Sequence, residues 1–337
     1  MTSKKLSREE VVRLLTEDAT DQPTLRDASL AGLDLSHLDF SKRDLSTADL
    51  SAANLSHANL SHANLSRAQL CDAVLYGADL CGAELIGANA QGANFTSCDA
   101  SRAGFGATNL AGTSFFEATL ADASFSQACL AGADLRCANM RGARLHACDL
   151  EKVDASSADL RNAELDDSRV AEASFDGADL REGRMKGVSG FERASFLDTD
   201  IRETDFRGAY AIRRRIIDEN YLHEFRSTSR RAEWLYKLWW VTSDCGRSFW
   251  RWGAWTGLMV AVFAAAYAFV QIDYGDYETP ISPLYFSVVT LTTLGFGDVL
   301  PMSMAAQMLA MFEVTVGYVA LGGLLSILAN KMGRRGE

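Results

Sequence analysis

The sequence predicts two unlike parts, an N-terminal solenoid and a C-terminal α-helical membrane domain. Over residues 25–210, a bulky apolar residue recurs at every fifth position. That period matches neither the 3.6 residues of a helix nor the two of a strand, and it is typical of a solenoid. Near the C-terminus, two long apolar runs, 252–272 and 303–330, flank a short polar segment. A chain of 337 residues is long enough for both parts.

Residues 1–24 precede the repeat and are expected to form a helical cap. Ser7 and Glu10 have the S-x-x-E spacing of a capping box. Val11 and Leu14 then fall on one face of the same helix. A solenoid needs such a cover, because its open end would otherwise pair with other chains.

The repeat has a consistent five-residue pattern. Alanine usually stands two residues before the bulky residue, with Asp or Asn between them, as in residues 48–50. One extra residue within 186–190 shifts the register, which resumes at Phe191. Before that shift, the bulky series is interrupted only by Ala90, Ala100 and Ala155.

This A-[DN]-L-x-x pattern resembles that of the pentapeptide-repeat proteins. The resemblance implies a right-handed quadrilateral β-helix with four pentapeptides in each coil. Leu or Phe would fill the axis, Ala would pack beside it, and the other positions would face solvent. About nine coils at the strand spacing of about 4.8 Å would give a rod roughly 45 Å long.

The surface of this region is acidic on balance and carries most of the net charge of −11. Some soluble members of the family imitate DNA, but a tether to a membrane argues against that role, and no nucleic-acid partner is expected. A plain solvated rod is the main interpretation, with a surface for a cytoplasmic partner or a sensory role as the alternative. His57 and His62, one repeat apart, are interpreted as solvated rather than bound to metal.

The seven cysteines are expected to be reduced thiols. Cys98 and Cys148 occupy positions where the pattern places alanine, so they are expected to act as small buried apolar residues. No two cysteines have C-x-x-C spacing. A redox switch or a metal site is the less favoured interpretation.

Residues 211–250 are basic and link the two parts, and every tryptophan lies between Trp234 and Trp255. Residues 212–225 are expected to form a basic helix. Residues 230–241 are expected to form an amphipathic helix on the bilayer surface. An acidic domain followed by a basic, tryptophan-rich segment is typical of a cytoplasmic domain tethered to a membrane.

Residues 252–272 contain no charged side chain and would form a helix about 31 Å long, enough to cross the hydrocarbon core. Residues 303–330 predict a second, tilted span. The loop between the spans is acidic and the C-terminal tail is basic, which places both termini in the cytoplasm. No signal peptide opens the chain, so a multi-pass protein of the plasma or inner membrane is expected.

Between the spans, residues 292–298 read T-T-L-G-F-G-D. Gly295 and Gly297, with one residue between them, permit backbone angles that a Cβ atom penalises. The motif and its apolar flanks resemble the filter of two-transmembrane potassium channels, which implies a pore domain over residues 251–337 with its filter at 293–298. In such channels, carbonyl rings from four chains replace the hydration shell of the ion.

The resemblance implies that the backbone of the filter binds potassium ions. No cofactor other than these ions is expected. The Thr293 hydroxyl would add a ligand, and Gly297 would complete the filter. Phe296 replaces the commoner tyrosine of the family. The carbonyls expected to bind the ion are those of Thr293, Leu294, Gly295 and Phe296.

Residues 283–292 are expected to form the pore helix, with Ser282 as its N-cap and Pro283 as its first residue. The negative end of this helix would favour a cation in the pore cavity. Val289 stands where some family members place a glutamate that pairs with the aspartate after the filter. The residues expected to support the filter are Thr292, Asp298, Val289 and Glu313.

The second span contains three glycines and one acid. Gly317 lies where potassium channels place a gating hinge, and Gly322 and Gly323 would allow a second bend or a close helix crossing. The alternative is that these glycines only aid packing. Glu313 is expected either to hydrogen-bond behind the filter, near Thr290 or Thr292, or to shift the potential of the cavity.

Together, these observations predict a homotetrameric, bacterial-type potassium channel with four cytoplasmic rods. Conduction would be passive, and the sequence has no Walker lysine motif, G-x-G-x-x-G, H-E-x-x-H or nucleophile elbow that would indicate an enzyme. The alternative is a membrane-anchored scaffold whose rod binds a partner and whose pore is silent or weakly selective. An intact filter motif favours the channel.

Overall fold

The structure, a computed structural model, describes residues 6–16, 25–246, 248–275, 278–295 and 297–333, with side chains as far as residue 329. The chain divides into two compact units, Met1–His223 and Glu224–Glu337. Several predictions lie outside the described residues. They concern residues 1–5 and 17–24 of the cap, Arg247 of the basic segment, residues 276–277 of the acidic loop, Phe296 of the filter and the tail at 334–337.

The N-terminal unit is a β-helix built from the repeats. Parallel bridges one residue wide join each repeat to the repeat 20 residues later, from Ser29 with Asp49 to Arg169 with Ser189. Each coil therefore contains four pentapeptides. Backbone bonds between coils, such as that from the Leu50 N–H to the Gln69 carbonyl at 2.7 Å, pair groups that burial would otherwise leave unsatisfied.

The Asp or Asn of each repeat has a structural role that the sequence pattern did not reveal. Its side chain accepts a hydrogen bond from the backbone N–H two residues later, as between Asp49 and Ser51 at 3.1 Å. Short side chains of this type stabilise turns in this way. The next residue of the turn has a positive φ, as at Ala52 (54°) and Gly77 (61°).

The axis of the β-helix is filled by the bulky residues, as the repeat predicts, and the alanines beside them are also buried. In the middle coils, phenylalanines on successive coils stack in two columns, Phe95 on Phe115 and Phe105 on Phe125, each with ring centroids 4.8 Å apart. Ala90 lies within this stretch of the axis and is also fully buried. Small residues at some axial positions leave volume for large rings at others, as close packing requires.

A helix covers the N-terminal end of the β-helix. Helix α1 (Arg8–Thr16) begins at the predicted capping box. The Ser7 N–H donates to Glu10 Oε2 at 2.8 Å, and the Glu10 N–H donates to Ser7 Oγ at 3.2 Å. Val11 is fully buried against the first coils.

At the other end, the extra residue is absorbed by a short 3-10 turn, Phe191–Arg193. After this turn the bridges join residues 21 apart, as in Asp179 with Asp200. Helix α2 (Tyr210–Thr228) follows and extends beyond the predicted 212–225 at both ends. Its residues Ile212 and Ile216 are fully buried in the same apolar core.

Cys98 and Cys148 are buried, as their positions in the repeat predict. Burial raises the pKa of the Cys98 thiol far above its ordinary value and raises the pKa of Cys148 to about 12. The Cys148 thiol donates to the Phe125 carbonyl at 2.9 Å. Since the thiolate is the reactive form, both side chains are inert at neutral pH.

An alternating ladder of aspartates and arginines runs along the surface of the last coils. Within one repeat, Arg181 donates to Asp179 at 2.9 and 2.6 Å, and its Nε lies 3.5 Å from Asp200 on the next coil. The hydrogen bond from the arginine two residues later holds the pKa of each aspartate below its ordinary value. The ladder is formed by Asp159, Arg161, Asp179, Arg181, Asp200 and Arg202.

The C-terminal unit is helical. Helix α3 is Arg230–Ser243, α4 is Phe249–Tyr267, α5 is Ser282–Leu291 and α6 is Met304–Gly333. Strands β1 (Ile272–Asp273) and β2 (Leu300–Pro301) form a short antiparallel pair. Helix α5 packs between α4 and α6, and the buried aromatic rings of this contact are Phe263, Tyr267 and Phe286.

Among the described residues, one helical segment, Met304–Ala329, is long and apolar enough to cross a membrane, with a mean hydropathy of 1.7. Helix α4 begins before the predicted span of 252–272 and ends earlier, at Tyr267. The earlier end has a physical reason. Residues Ile272 and Asp273 are extended because they pair with β2, so the helix must stop before them.

The predicted N-cap of α5 is wrong. Ser282 lies inside the helix, and the capping position is Ile281. The Ser282 hydroxyl instead accepts a hydrogen bond from the Thr279 N–H at 2.8 Å, outside the helix. Pro283 does lie in the first turn, where its missing N–H is not needed.

The phenylalanine columns should dominate the stability of the β-helix. We expect Phe105→Ala to lower the free energy of unfolding by about 3–5 kcal/mol, because the ring is fully buried against Phe125. Denaturant unfolding of the purified protein, followed by circular dichroism, measures this change. Tyr76→Ala, at an exposed position, is the control. Equal losses in both variants would contradict the assignment of Phe105 to a packed core.

The ion-pair ladder should make the β-helix sensitive to acid. The folded-state pKa of Asp179 is lowered, so its contribution to stability is present above the unfolded pKa of about 4 and is lost as pH falls through the folded pKa. We expect Asp179→Asn to lower the Tm at pH 7, and we expect this deficit to become smaller at a pH below the unfolded pKa of about 4. In Asp72→Asn, which removes an exposed carboxylate outside the ladder, the Tm should stay near wild type at both pH values. A deficit of Asp179→Asn that is undiminished at low pH would contradict the ladder.

Candidate functional site

The loop at residues 292–298 leaves the C-terminal end of α5 in a fixed direction. The Thr293 N–H donates to the Thr290 carbonyl and the Leu294 N–H donates to the Val289 carbonyl, both at 3.0 Å. The Thr292 hydroxyl donates to the Val288 carbonyl at 2.6 Å. These bonds satisfy carbonyls that the last turn of a helix leaves without partners.

Every second residue of this loop has a positive φ. The angle is 56° at Thr293, 50° at Gly295 and 79° at Gly297. Both glycines therefore have the left-handed backbone that the sequence predicts for them. Thr293 was not expected to have it, since a β-branched residue is strained in this region, and such strain is concentrated at functional sites.

Three backbone carbonyls of the loop have no hydrogen-bond donor among the described residues. In the part of the chain that the structure describes, the carbonyls of Thr293, Leu294 and Gly295 accept no hydrogen bond. Leu294 itself is 60 % exposed in the single chain. A row of unpaired carbonyls in a fixed backbone can provide ligands for a dehydrated cation.

The loop is anchored on the side of Asp298 by a residue that the sequence did not indicate. The Tyr285 hydroxyl donates to Asp298 Oδ2 at 2.8 Å. Val289, where some potassium channels have a glutamate, is buried and apolar. Tyr285 lies one helical turn before Val289, on the same face of α5, so this spacing was a signal that could have been found.

Glu313 joins three helices. It lies on α6 and is fully buried, with 0 % exposure. The Tyr267 hydroxyl on α4 donates to Glu313 Oε2 at 2.5 Å. The Ser287 hydroxyl on α5 donates to Glu313 Oε1 and also lies 3.0 Å from the Val260 carbonyl.

Of the two expectations for Glu313, the structure has the hydrogen-bonded one, with Tyr267 and Ser287 as the partners. The carboxylate lies further back along α5, at the level of Ser287. The Thr292 hydroxyl bonds to its own helix instead. Neither Tyr267 nor Ser287 was identified from the sequence, since both look like ordinary residues of apolar helices.

Two of the three glycines of α6 have close neighbours. A Cβ atom at Gly317 would lie 2.1 Å from the Leu291 carbonyl oxygen, so the end of α5 rests directly on α6 at this glycine. A Cβ atom at Gly323 would lie 2.4 Å from the ring of Trp252. A Cβ atom at Gly322 would have no neighbouring atom within 4 Å. Helix α6 is continuous through all three, so their role as hinges stays a prediction.

Both parts of the chain are similar to known proteins. Residues 254–334 match a family model described as an ion channel. Segments between residues 48 and 189 match the model of pentapeptide repeats. Two plant proteins, two-pore potassium channel 1 of Arabidopsis thaliana and two pore potassium channel b of Oryza sativa subsp. japonica, are each 42 % identical over 57 residues. This alignment covers 17 % of this chain and 16 % of each relative.

The β-helix is similar to solved structures of pentapeptide-repeat proteins. One is HetL, a protein involved in heterocyst differentiation regulation in the cyanobacterium Nostoc sp. strain PCC 7120. It is 22 % identical, with a TM-score of 0.37, over 59 % of this chain and 94 % of HetL.

The two matches lie on the two units that the structure separates. The pentapeptide match lies in the β-helix, and the channel match lies over α4, α5, α6 and the loop with unpaired carbonyls. The chain therefore joins a pentapeptide-repeat β-helix to a domain of the ion channel family.

Proposed function

We propose that this protein is a potassium-selective channel made of four identical chains. Each chain contributes two membrane-crossing helices, α4 and α6, and one filter loop at residues 293–298. Conduction is passive, involves no covalent chemistry and needs no cofactor other than the ions. The observation that carries this proposal is the loop after α5, with its unpaired carbonyls and its positive φ at every second residue.

Four copies are needed because one loop offers oxygens on one side only. A dehydrated potassium ion requires a ring of oxygens, which four converging loops supply. The exposure of Leu294 and of the glycines beside it in the single chain supports their burial by neighbouring copies. The four carbonyl ligands are those of Thr293, Leu294, Gly295 and Phe296.

The proposed topology places both termini in the cytoplasm and the short β1–β2 pair outside. Helix α4 is 19 residues long, about 29 Å, which is close to the thickness of the hydrocarbon core. Helix α3 lies on the cytoplasmic surface of the bilayer, where its large exposed side chains meet the lipid. Those side chains are Trp234, Leu235, Leu238, Trp239 and Trp240.

Potassium is the proposed ion because two lines of support agree. The T-x-G-F-G-D sequence has the pattern of potassium filters, and the two plant proteins similar to this domain are named as potassium channels. The right-handed, four-sided β-helices hang in the cytoplasm and provide a regulatory or partner-binding surface. A scaffold with a silent pore is less well supported, since it has no use for unpaired carbonyls held in a strained loop.

The filter is tested by Gly295→Ala. A methyl group at a φ of 50° costs about 1–3 kcal/mol and turns the neighbouring carbonyls away from the ion. We expect potassium flux into liposomes that contain the purified protein to disappear. Gly257→Ala on α4, where a Cβ atom would meet nothing within 4 Å, should conduct like wild type. Undiminished flux through Gly295→Ala would sink the proposal.

The contribution of Glu313 is tested by two substitutions. Glu313→Leu removes the acceptor of the buried Tyr267 hydroxyl, at about 1–3 kcal/mol, and leaves the Ser287 hydroxyl with the Val260 carbonyl as its acceptor. We expect a lower Tm in detergent and a smaller ratio of potassium to sodium flux. Glu313→Gln keeps an oxygen and an N–H for the same partners. Its Tm and its ratio of potassium to sodium flux should be closer to those of wild type.

Met311→Leu, at an exposed position of the same helix, controls for substitution on α6. If Glu313→Leu is as stable and as selective as Glu313→Gln, the hydrogen bonds to Glu313 do not support the filter.

A further inference from the structure

Two tryptophans of α4, one helical turn apart, donate hydrogen bonds to two different helices. The Trp252 indole N–H donates to the Ala320 carbonyl on α6 at 3.1 Å. The Trp255 indole N–H donates to the Val241 carbonyl on α3 at 3.2 Å. A backbone carbonyl has two lone pairs, so it can accept an indole N–H in addition to its helical bond. Helix α4 is therefore attached to α6 by one indole and to α3 by the other.

The Trp252 ring is seated on a groove of α6. Ala320 and Gly323 lie three residues apart and so share one face of the helix. While the indole N–H reaches Ala320, the benzene edge of the ring lies 2.4–3.0 Å from the position that a Cβ atom at Gly323 would occupy. The ring fits only because residue 323 is glycine. The next residue back, Gly322, has no such neighbour.

Two grooves of the single chain border this ring. A cavity of about 320 Å³ lies between the ring and the start of the filter loop at Thr292 and Thr293. Another cavity, of about 230 Å³, lies towards Leu238 of α3. Trp252 lines both. The ring therefore forms a packed contact between α4 and α6 at a place where two grooves meet.

We propose that Trp252 is a positioning residue for the pore-lining helix α6. Its indole, seated on Gly323 and bonded to Ala320, holds the cytoplasmic half of α6 against α4. Loss of this seat changes the fraction of time for which the channel is open. This inference rests on the proposed channel function, and it gives Gly323 the role of a seat for a ring rather than that of a hinge.

Substitution of the two adjacent glycines, Gly322 and Gly323, distinguishes a seat for the Trp252 ring from a hinge in α6. Ala in place of Gly raises helix propensity by a similar amount at residues 322 and 323. If these glycines act by bending the helix, both substitutions have similar effects. If Gly323 acts as a seat, only Gly323→Ala has an effect, because only its methyl group meets the Trp252 ring.

The experiment records single channels of the full-length protein in planar bilayers with potassium on both sides. We expect Gly323→Ala to change the open probability by at least about fivefold, within the range of couplings between residues in contact. Its unit conductance should stay at the wild-type value, since the filter is not touched. Gly322→Ala should have the open probability of wild type. The double variant Trp252→Phe with Gly323→Ala should lie closer to wild type than Gly323→Ala alone, because the shorter ring leaves room for the methyl group.

Three results would overturn the inference: Gly322→Ala acting as strongly as Gly323→Ala, no change in Gly323→Ala, or additive effects in the double variant. If Gly323→Ala does not assemble, Trp252→Phe alone provides the test. It removes the indole N–H without adding volume, and an unchanged open probability in this variant would also overturn the inference.

Thermal unfolding in detergent tests the seat without relying on conduction. Gly323→Ala should lower the Tm, the double variant should recover part of the loss, and Gly322→Ala should not lower it. A wild-type protein that passes no potassium current contradicts the proposed function, whereas the Tm series then still decides the role of Trp252. The absence of recovery in the double variant would overturn the seat in that case.

Discussion

The arrangement of the membrane unit depends on one buried carboxylate, that of Glu313. Burial of a carboxylate costs several kcal/mol unless hydrogen bonds replace its lost water. Here the replacements come from Tyr267 on α4 and Ser287 on α5, so the cost is offset only when all three helices are in place. Helix α5 is ten residues long and too short to be stable alone, so its position is set by these neighbours. The loop at residues 292–298 begins where α5 ends, so its position follows from that of α5.

The loop at residues 292–298 is also positioned by contacts with neighbouring helices. The Leu291 carbonyl rests on Gly317, and Asp298 on the other side of the loop is held by Tyr285. The loop is thus fixed at both ends by contacts that, among the described residues, leave the carbonyls of Thr293, Leu294 and Gly295 without a donor. The β-helix is built on a different principle, in which each coil is hydrogen-bonded to the next and helices α1 and α2 pack on the core at its two ends.

The sequence predicted those features that depend on local pattern. The five-residue period identified the buried axis, the S-x-x-E spacing identified the cap at Ser7, and the two glycines of the filter motif have the backbone expected of them. It did not predict features that depend on which groups meet in space. The hydroxyls of Tyr267 and Ser287 are separated from Glu313 along the chain, and no local spacing indicates that they share one carboxylate.

Local sequence patterns also gave a wrong or incomplete prediction where another group of the chain interacts with the residue concerned. Ser282 before Pro283 looks like a helix cap, but its hydroxyl is taken by the Thr279 N–H. The close approach of the Leu291 carbonyl to Gly317 was likewise not visible in the sequence, and the role of this glycine as a hinge stays a prediction. The Asp or Asn of each repeat was visible as a pattern, but its hydrogen bond to the turn became clear only from the coil geometry.

The central claim is that the loop after α5 is a potassium filter. It is tested most directly by the reversal potential of the wild-type channel in a planar bilayer with potassium on one side and an equal concentration of sodium on the other. A filter of the proposed kind predicts a reversal potential displaced far in the direction set by the potassium gradient. A reversal potential at zero, which indicates equal permeation by the two ions, would contradict the claim.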